Sequence, residues 1–283
     1  MVSLRSVPVL AALLLTVTAC GGGGSDSASD DAPDGPRYVA LGDSFTAGPG
    51  IFPVDSRSGD CARSTLNYPR LVAKAIDAKS FVDVSCAGAT SDNVLETVPI
   101  PSGTTAVTAQ LEAVEPDTQL VTVGIGGNDS GLFSSLSSAC TKQGDACADY
   151  LKDKLPKVLK STRRNVAAVL EAVAERAPKA EVVLVGYLRV VPEDRGCDNL
   201  GGAALDTGRV AAGEGKIDAM LAGAAKDAGA TYVSMNDPSE GHDACSTDAW
   251  TNGLAPELGD GISLHPRKIG MQQVAKAVEQ AIA

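Results

Sequence analysis

Aromatic side chains are scarce in this 283-residue chain, with four Phe, five Tyr and one Trp making up 4% of it, and no long apolar segment is present that could fold over as a lid. Histidine is scarcer still. Only His242 and His265 occur, neither has a partner at zinc-finger spacing and no CxxC is present, so no metal site and no cofactor are expected. Basic residues are outnumbered, 24 Lys and Arg against 35 Asp and Glu, which argues against nucleic acid as a partner because binding it depends on neutralising phosphates. The stretch Gly124-Ile-Gly126-Gly-Asn-Asp129 lacks the third glycine of a dinucleotide loop, and no GxSxG elbow is found. Beyond the N-terminus no run approaches the about 20 apolar residues that a membrane span needs.

The N-terminus carries an address. Met1 to Ala19 has one early charge, Arg5, then the apolar run Val7–Leu15, and closes on Val17-Thr18-Ala19 before Cys20 and Gly21. Small residues at such a point mark a secretory cut. A cysteine directly behind the cut makes the segment resemble a bacterial lipoprotein signal, which implies lipid on Cys20 and anchorage on the extracytoplasmic side of the cell membrane. Residues 20–36, GGGGSDSASDDAPDGP behind Cys20, offer no large apolar side chain to offset the entropy of ordering and read as a flexible tether. Loss of residues 1–19 leaves 23 basic and 35 acidic residues, a net charge of −12. One folded domain is expected over 37–283, as a monomer.

With Cys20 set aside, Cys61, Cys86, Cys140, Cys147, Cys197 and Cys245 remain, an even number in an exported chain. Three disulfides follow as the expectation. Order along the chain favours Cys61–Cys86, Cys140–Cys147 and Cys197–Cys245.

Short apolar runs at Arg37–Leu41, Val121–Ile125 and Val182–Val185 stop at glycine turns and read as buried strands, with Phe81–Val84 and Thr231–Ser234 as weaker ones. Helical patterns lie between them at 67–78, 105–115, 149–177 and 202–228, and a last one runs from Pro266 to Ala283. Alternation of this kind predicts a three-layer α/β/α sandwich on a parallel, flavodoxin-like sheet of about five strands. Ligands in such folds bind beyond the carboxyl ends of strands. Gly42-Asp43-Ser44, Cys86-Ala87-Gly88 and Gly126-Gly127-Asn128-Asp129 all fall at predicted strand ends, and His265 precedes the last helix.

A hydroxyl on a tight turn into a helix, a base and oxyanion donors are what acyl transfer requires. Serine after a strand is also a common helix N-cap, and glycine and asparagine are common in turns. The stretch Gly42-Asp43-Ser44-Phe45-Thr46-Ala47-Gly48, then Gly88, then Gly127-Asn128-Asp129, then Ser263-Leu264-His265-Pro266-Arg267 resemble, in order, the blocks of the SGNH (GDSL-type) hydrolases. The resemblance implies a serine ester hydrolase with Ser44 as nucleophile and His265 as base. It also implies the Ser44 N–H, the Gly88 N–H and the Asn128 side chain as oxyanion donors. His242, beside a presumed disulfide, is read as structural or substrate-proximal, and Trp250 as packing.

The family pattern places an aspartate three residues before the histidine, where this chain has Ile262. Two expectations follow: the Ile262 carbonyl orients His265 in a Ser–His dyad, or Asp260 reaches it. Asp43 and Asp129 as a glycosidase pair are set aside, because both lie inside these blocks. The substrate is expected to be a short-acyl ester of a lipid or an acetylated carbohydrate in an open crevice. That crevice is expected to be rimmed by 50–64 and 132–149, with Ile51, Phe52, Leu132 and Phe133 either lining an acyl pocket or packing on the solvent side of these loops. The alternative is a catalytically idle binding lipoprotein on the same fold.

Overall fold

The computed structural model describes residues 34–101, 103–141, 145–194 and 196–283; the expected signal, Cys20 and most of the expected tether lie outside them. Five parallel strands form the central sheet: β1 (Arg37–Gly42), β2 (Ser80–Asp83), β5 (Leu120–Gly124), β6 (Glu181–Val185) and β7 (Thr231–Val233), in the order β2-β1-β5-β6-β7. A two-stranded antiparallel hairpin, β3 (Val98–Pro99) with β4 (Ala106–Val107), stands apart. The helices are α1 (Ser44–Ala47), α2 (Tyr68–Ala75), α3 (Ser91–Leu95), α4 (Leu132–Cys140), α5 (Ala146–Asp149), α6 (Leu155–Arg176), α7 (Thr207–Ala228) and α8 (Lys268–Ala281). No helix among the described residues is long and apolar enough to cross a membrane.

The apolar runs that announced the strands are continuous because helices cover both faces of the sheet. In β1, Val39 and Leu41 turn to one side and join Val121, Val123, Val166, Leu170 and Leu221. Tyr38 and Ala40 turn to the other and join Tyr68, Val72, Met271 and Val274. Side chains alternate across a strand, so one hexapeptide seeds two cores and α/β/α layering results. Helix boundaries follow local chemistry. Asn67 caps α2 ahead of Pro69, and Asp206 accepts the Arg209 N–H at 3.2 Å to open α7, which stops at the left-handed Gly229.

The helix expected over 105–115 does not form. Its place is taken by β4 and a single 3₁₀ turn, Gln110–Ala113. The reason is tertiary: the buried Gln110 amide accepts from the Gly42 N–H at 2.7 Å and donates to the Gly42 carbonyl at 2.9 Å, and the Ala109 N–H goes to Thr97 Oγ1 at 3.0 Å. Two specific bonds at the end of β1 outweigh a helix propensity of a few tenths of a kcal/mol per residue. Conversely, α4 and α5 lie where only an insertion was expected.

The cysteines pair as Cys61–Cys86, Cys140–Cys147 and Cys197–Cys245. The first ties the 50–64 segment to the loop after β2, and the Ala87 N–H bonds to the Cys61 carbonyl beside it.

Candidate active site

The ends of β1 and β5 and the loop before α8 bring three of the sequence blocks together. Asp43 caps α1 by accepting the Phe45 N–H at 2.9 Å, which leaves Ser44 as the first helical residue, 8% exposed. Its Oγ lies 2.8 Å from His265 Nε2. On the far side of the ring, Nδ1 lies 2.8 Å from the Ser263 carbonyl oxygen. A carbonyl only accepts, so Nδ1 carries the hydrogen and Nε2 presents its lone pair to the Ser44 hydroxyl. Burial lowers the His265 pKa from its ordinary value, with the Ser263 bond pulling the other way. The imidazole is therefore neutral near pH 7 and able to take a proton.

The carbonyl that faces the ring belongs to Ser263 and not, as expected, to Ile262. The Ile262 carbonyl is consumed by a turn, accepting the His265 N–H at 3.2 Å. Leu264, at the turn's third position, has φ +59°. That turn leaves the central Ser263 carbonyl free of the i to i+3 bond. Two bonds steady the loop: Leu264 N–H to the Gly253 carbonyl at 3.1 Å, and Ser263 Oγ–H to the Leu254 carbonyl at 2.8 Å. Asp260 is engaged elsewhere. Its Oδ2 accepts from Arg267 Nε at 2.8 Å and its Oδ1 from the Lys268 N–H at 2.7 Å, at the start of α8. No carboxylate among the described residues hydrogen-bonds to His265.

Gly88, half-buried in the loop after β2, has φ +83°, a left-handed conformation that glycine adopts without strain. Asn128 Nδ2 donates to the Ala89 carbonyl at 3.0 Å, and an amide carries two hydrogens, so one stays available. Gly127, one residue earlier, has no room for a side chain: a Cβ there would sit 2.7 Å from the Phe133 ring and 2.9 Å from the Tyr187 hydroxyl.

Tyr187 was missed in the sequence. It lies two residues beyond β6, 6% exposed. Its hydroxyl donates to Asp43 Oδ2 at 2.5 Å and accepts the Gly127 N–H at 2.7 Å, linking the serine turn to the asparagine turn. Burial pushes Asp43 up to about 7, opposed by the bonds from Tyr187 and Phe45. Burial also raises the Tyr187 hydroxyl well above its ordinary value, so it holds its proton. Asp129 is spent on structure, accepting from the Ser91 N–H at 2.9 Å and from Asn165 at 3.2 Å.

A cavity of about 320 Å³ opens at Ser44, Asn128 and His265. Its apolar wall comes from Phe133, Val190, Val191, Leu200, Leu205 and Leu254. Of the four candidates for its lining only Phe133 is there: Ile51 and Leu132 are fully buried in the two cores, and Phe52, 49% exposed, packs near Gly259. The aliphatic wall is assembled from the segment between β6 and α7, with Leu254 added from the loop between β7 and α8, so it needs no aromatic lid. His242 is not at this site. It stacks on Trp250 with ring centres 4.1 Å apart and meets Asp248 at 2.9 Å, beside an open depression of about 700 Å³ whose lining has no serine, threonine or cysteine.

A model of the GDSL-like Lipase/Acylhydrolase family matches residues 40–273. The chain is similar to Lipase 2 of Streptomyces coelicolor, 34% identical over 84% of this chain and 83% of the relative. It is similar to a lipase of Streptomyces rimosus, 31% identical over 95% of each. Among solved structures, phospholipase A1 from Streptomyces albidoflavus superposes with a TM-score of 0.74 at 28% identity, covering 87% of this chain and 99% of that one. The extracellular lipase from Streptomyces rimosus does so at 0.73 and 31%, covering 86% and 98%.

Proposed function

We propose that this chain, which belongs to the GDSL-like Lipase/Acylhydrolase family and is a carboxylic ester hydrolase, works through an acyl-enzyme on Ser44. The observation that carries this reading is the 2.8 Å approach of His265 Nε2 to Ser44 Oγ. As Oγ attacks the ester carbonyl carbon, Nε2 takes its proton, and the Ser263 carbonyl keeps the ring oriented while positive charge develops on it. The oxyanion is received by the N–H groups of Ser44 and Gly88 and by the free hydrogen of the Asn128 amide. The imidazolium then protonates the leaving alkoxide. Water repeats the sequence on the acyl-enzyme and releases the acid.

The substrate is an ester with an apolar chain that enters the cavity. The aliphatic lining and relatives named as lipases and a phospholipase A1 favour a lipid ester over an acetylated carbohydrate. The protein works outside the cytoplasm, held by lipid on Cys20. That placement is supported by the leader sequence, by three disulfides and by the likeness to an extracellular lipase. The deciding experiment measures Ser44→Ala against p-nitrophenyl esters of graded length, beside phospholipid and acetylated polysaccharide. Activity is expected to fall to background while the thermal transition stays near the parent's, and an organophosphonate is expected to label Ser44 alone in the parent. Retention of more than a few per cent of activity on every ester would overturn the assignment.

A further inference from the structure

Away from Ser44 and His265 the cavity is lined by apolar side chains, by the hydroxyls of Ser134, Ser137 and Thr141, and by Glu214, an acid on α7 that the proposed chemistry does not use. Glu214 is 6% exposed, and isolated carboxyls are placed in apolar walls only at a cost. Among the described residues, one of its oxygens receives hydrogen bonds. Oε2 receives the N–H groups of Val190 and Val191 at 3.3 and 3.4 Å. Oε1 has no hydrogen-bond partner among the described residues, yet it is not among the sealed, unpartnered buried atoms. Glu214 itself lines open space.

Glu214 borders two spaces. One, of about 10 Å³, is shared with Ile217, Asp218 and Asn236 and is too small for a substrate group. The other is the cavity of about 320 Å³ that opens at Ser44 and His265. Burial pushes the Glu214 carboxyl up to about 8, against the bonds from Val190 and Val191 and the charge of Arg189, which itself bonds to Glu193 and Asn236. At neutral pH the group is thus an uncharged acid. With Oε2 accepting from the backbone, Oε1 bears the hydrogen and both donates and accepts.

We infer that Glu214 determines specificity by hydrogen-bonding a hydroxyl carried partway along the apolar chain that fills this cavity, so that the preferred esters are those of hydroxylated chains. A hydroxyl is the complement of a neutral carboxylic acid, since each donates to and accepts from the other. An ammonium group would demand a carboxylate, and a plain alkyl chain would leave Oε1 unpaired once water is expelled. That asymmetry gives selectivity: a site built to hydrogen-bond a hydroxyl discriminates against the analogue without one more strongly than an apolar pocket rejects an added hydroxyl. The inference rests on the proposed acyl transfer at Ser44 and on chain binding in this cavity.

The test is a ratio of kcat/KM values for chains of equal length with and without a hydroxyl. One arm carries the hydroxyl on the acyl chain, as p-nitrophenyl hydroxydecanoates of varied hydroxyl position against p-nitrophenyl decanoate. The other carries it on the alcohol chain, as monoacetates of alkanediols against alkyl acetates. In one arm the parent is expected to favour a hydroxylated chain by about tenfold or more, the worth of one hydrogen bond whose loss leaves a buried group unpaired. Glu214→Gln, whose amide also donates and accepts, is expected to keep that preference within a few-fold, and Glu214→Leu to lose or reverse it. Because each ratio is taken within one protein, partial loss of folded material cancels. A parent that shows no hydroxyl preference in either arm overturns the inference, whatever the variants do. So does a preference that Glu214→Leu retains. Failure of the parent to hydrolyse any ester, with no phosphonate label on Ser44, would instead sink the underlying acyl-transfer reading.

Discussion

Tyr187 and Asp43, 144 residues apart in the chain, share a 2.5 Å hydrogen bond directly behind the Ser44 turn. The same hydroxyl accepts the Gly127 N–H at 2.7 Å, so one buried side chain fixes the spacing between the turn that carries Ser44 and the turn that carries Asn128. Oxyanion stabilisation depends on donors preset to within a fraction of an ångström, and in the proposed chemistry Tyr187 is placed to set them. Its ring also packs edge-on against Phe45 and Phe133 at about 5 Å.

Tyr187→Phe keeps that packing and removes only the hydroxyl. The expected result is a fall in kcat of about ten- to a hundredfold with KM near the parent's, because the lost positioning matters more in the transition state than in substrate binding. Stability should drop by about 1–3 kcal/mol, since the Gly127 N–H is left buried without a partner. Steady-state kinetics beside denaturant titration check this. A change confined to KM, or one that tracks stability alone, would assign Tyr187 to packing.

What was legible in the sequence was what contiguous residues encode. Gly42-Asp43-Ser44 and Gly127-Asn128 are turns whose geometry is local, and the parity of the cysteines anticipated the pairs that formed. The five parallel strands were legible because full burial demands unbroken apolar runs. Tyr187 and Glu214 were not, because each acts through a partner distant in the chain: Glu214 looks like any charge on an amphipathic helix until α7 is seen against Val190 and Val191. Gln110 hid in the same way inside a helical pattern. The error between Ile262 and Ser263 came from a turn with Leu264 at positive φ, a conformation that no glycine advertised.

Reduction should act unevenly on the three disulfides. Cys86 is two residues from Gly88, and its bridge to Cys61 fixes the loop that presents the Gly88 N–H. Replacing both cysteines of this pair by serine is expected to cost about 2–4 kcal/mol and to lower kcat. Replacing Cys140 and Cys147, whose bridge closes α4 onto α5, should cost stability with a smaller effect on kcat. Intact mass before and after alkylation, followed by kinetics on each double variant, decides the matter.

The buried acids give stability a pH dependence of definite sign. Glu214 is pushed up to about 8, above its value of about 4.3 in an unfolded chain, so between those limits the native state binds more protons than the unfolded one. The stabilising contribution of the protonated group is therefore complete below about pH 4 and is lost as pH rises toward 8. Glu214→Gln cannot titrate. Subtracting its unfolding free energy from the parent's at each pH cancels the parallel contribution of Asp43 and the opposite one of His265. The difference should move against the parent as pH rises from about 5 to about 8; a flat difference would mean that Glu214 is ionised in the native state throughout.

Orientation of His265 by a main-chain carbonyl leads to the last expectation. Asp260 spends both oxygens on Arg267 and the Lys268 N–H, so it holds the first turn of α8 and, through it, the loop that carries His265. Replacing a true triad aspartate by asparagine lowers kcat by about 10⁴, because the amide stabilises the wrong tautomer of the ring. Asp260→Asn should instead lower kcat by less than about tenfold, with a loss of stability from the weakened Arg267 pair, whereas His265→Ala should fall to near background. The pH profile adds a second check. With no carboxylate beside the ring and with burial lowering its pKa, kcat/KM in Asp260→Asn should rise with pH through the same midpoint as in the parent, below the ordinary histidine value of about 6.5. A loss of several thousandfold in Asp260→Asn, or a shift of that midpoint, would restore Asp260 as the third member of a triad. The Ser263 carbonyl would then be reduced to a feature of the turn.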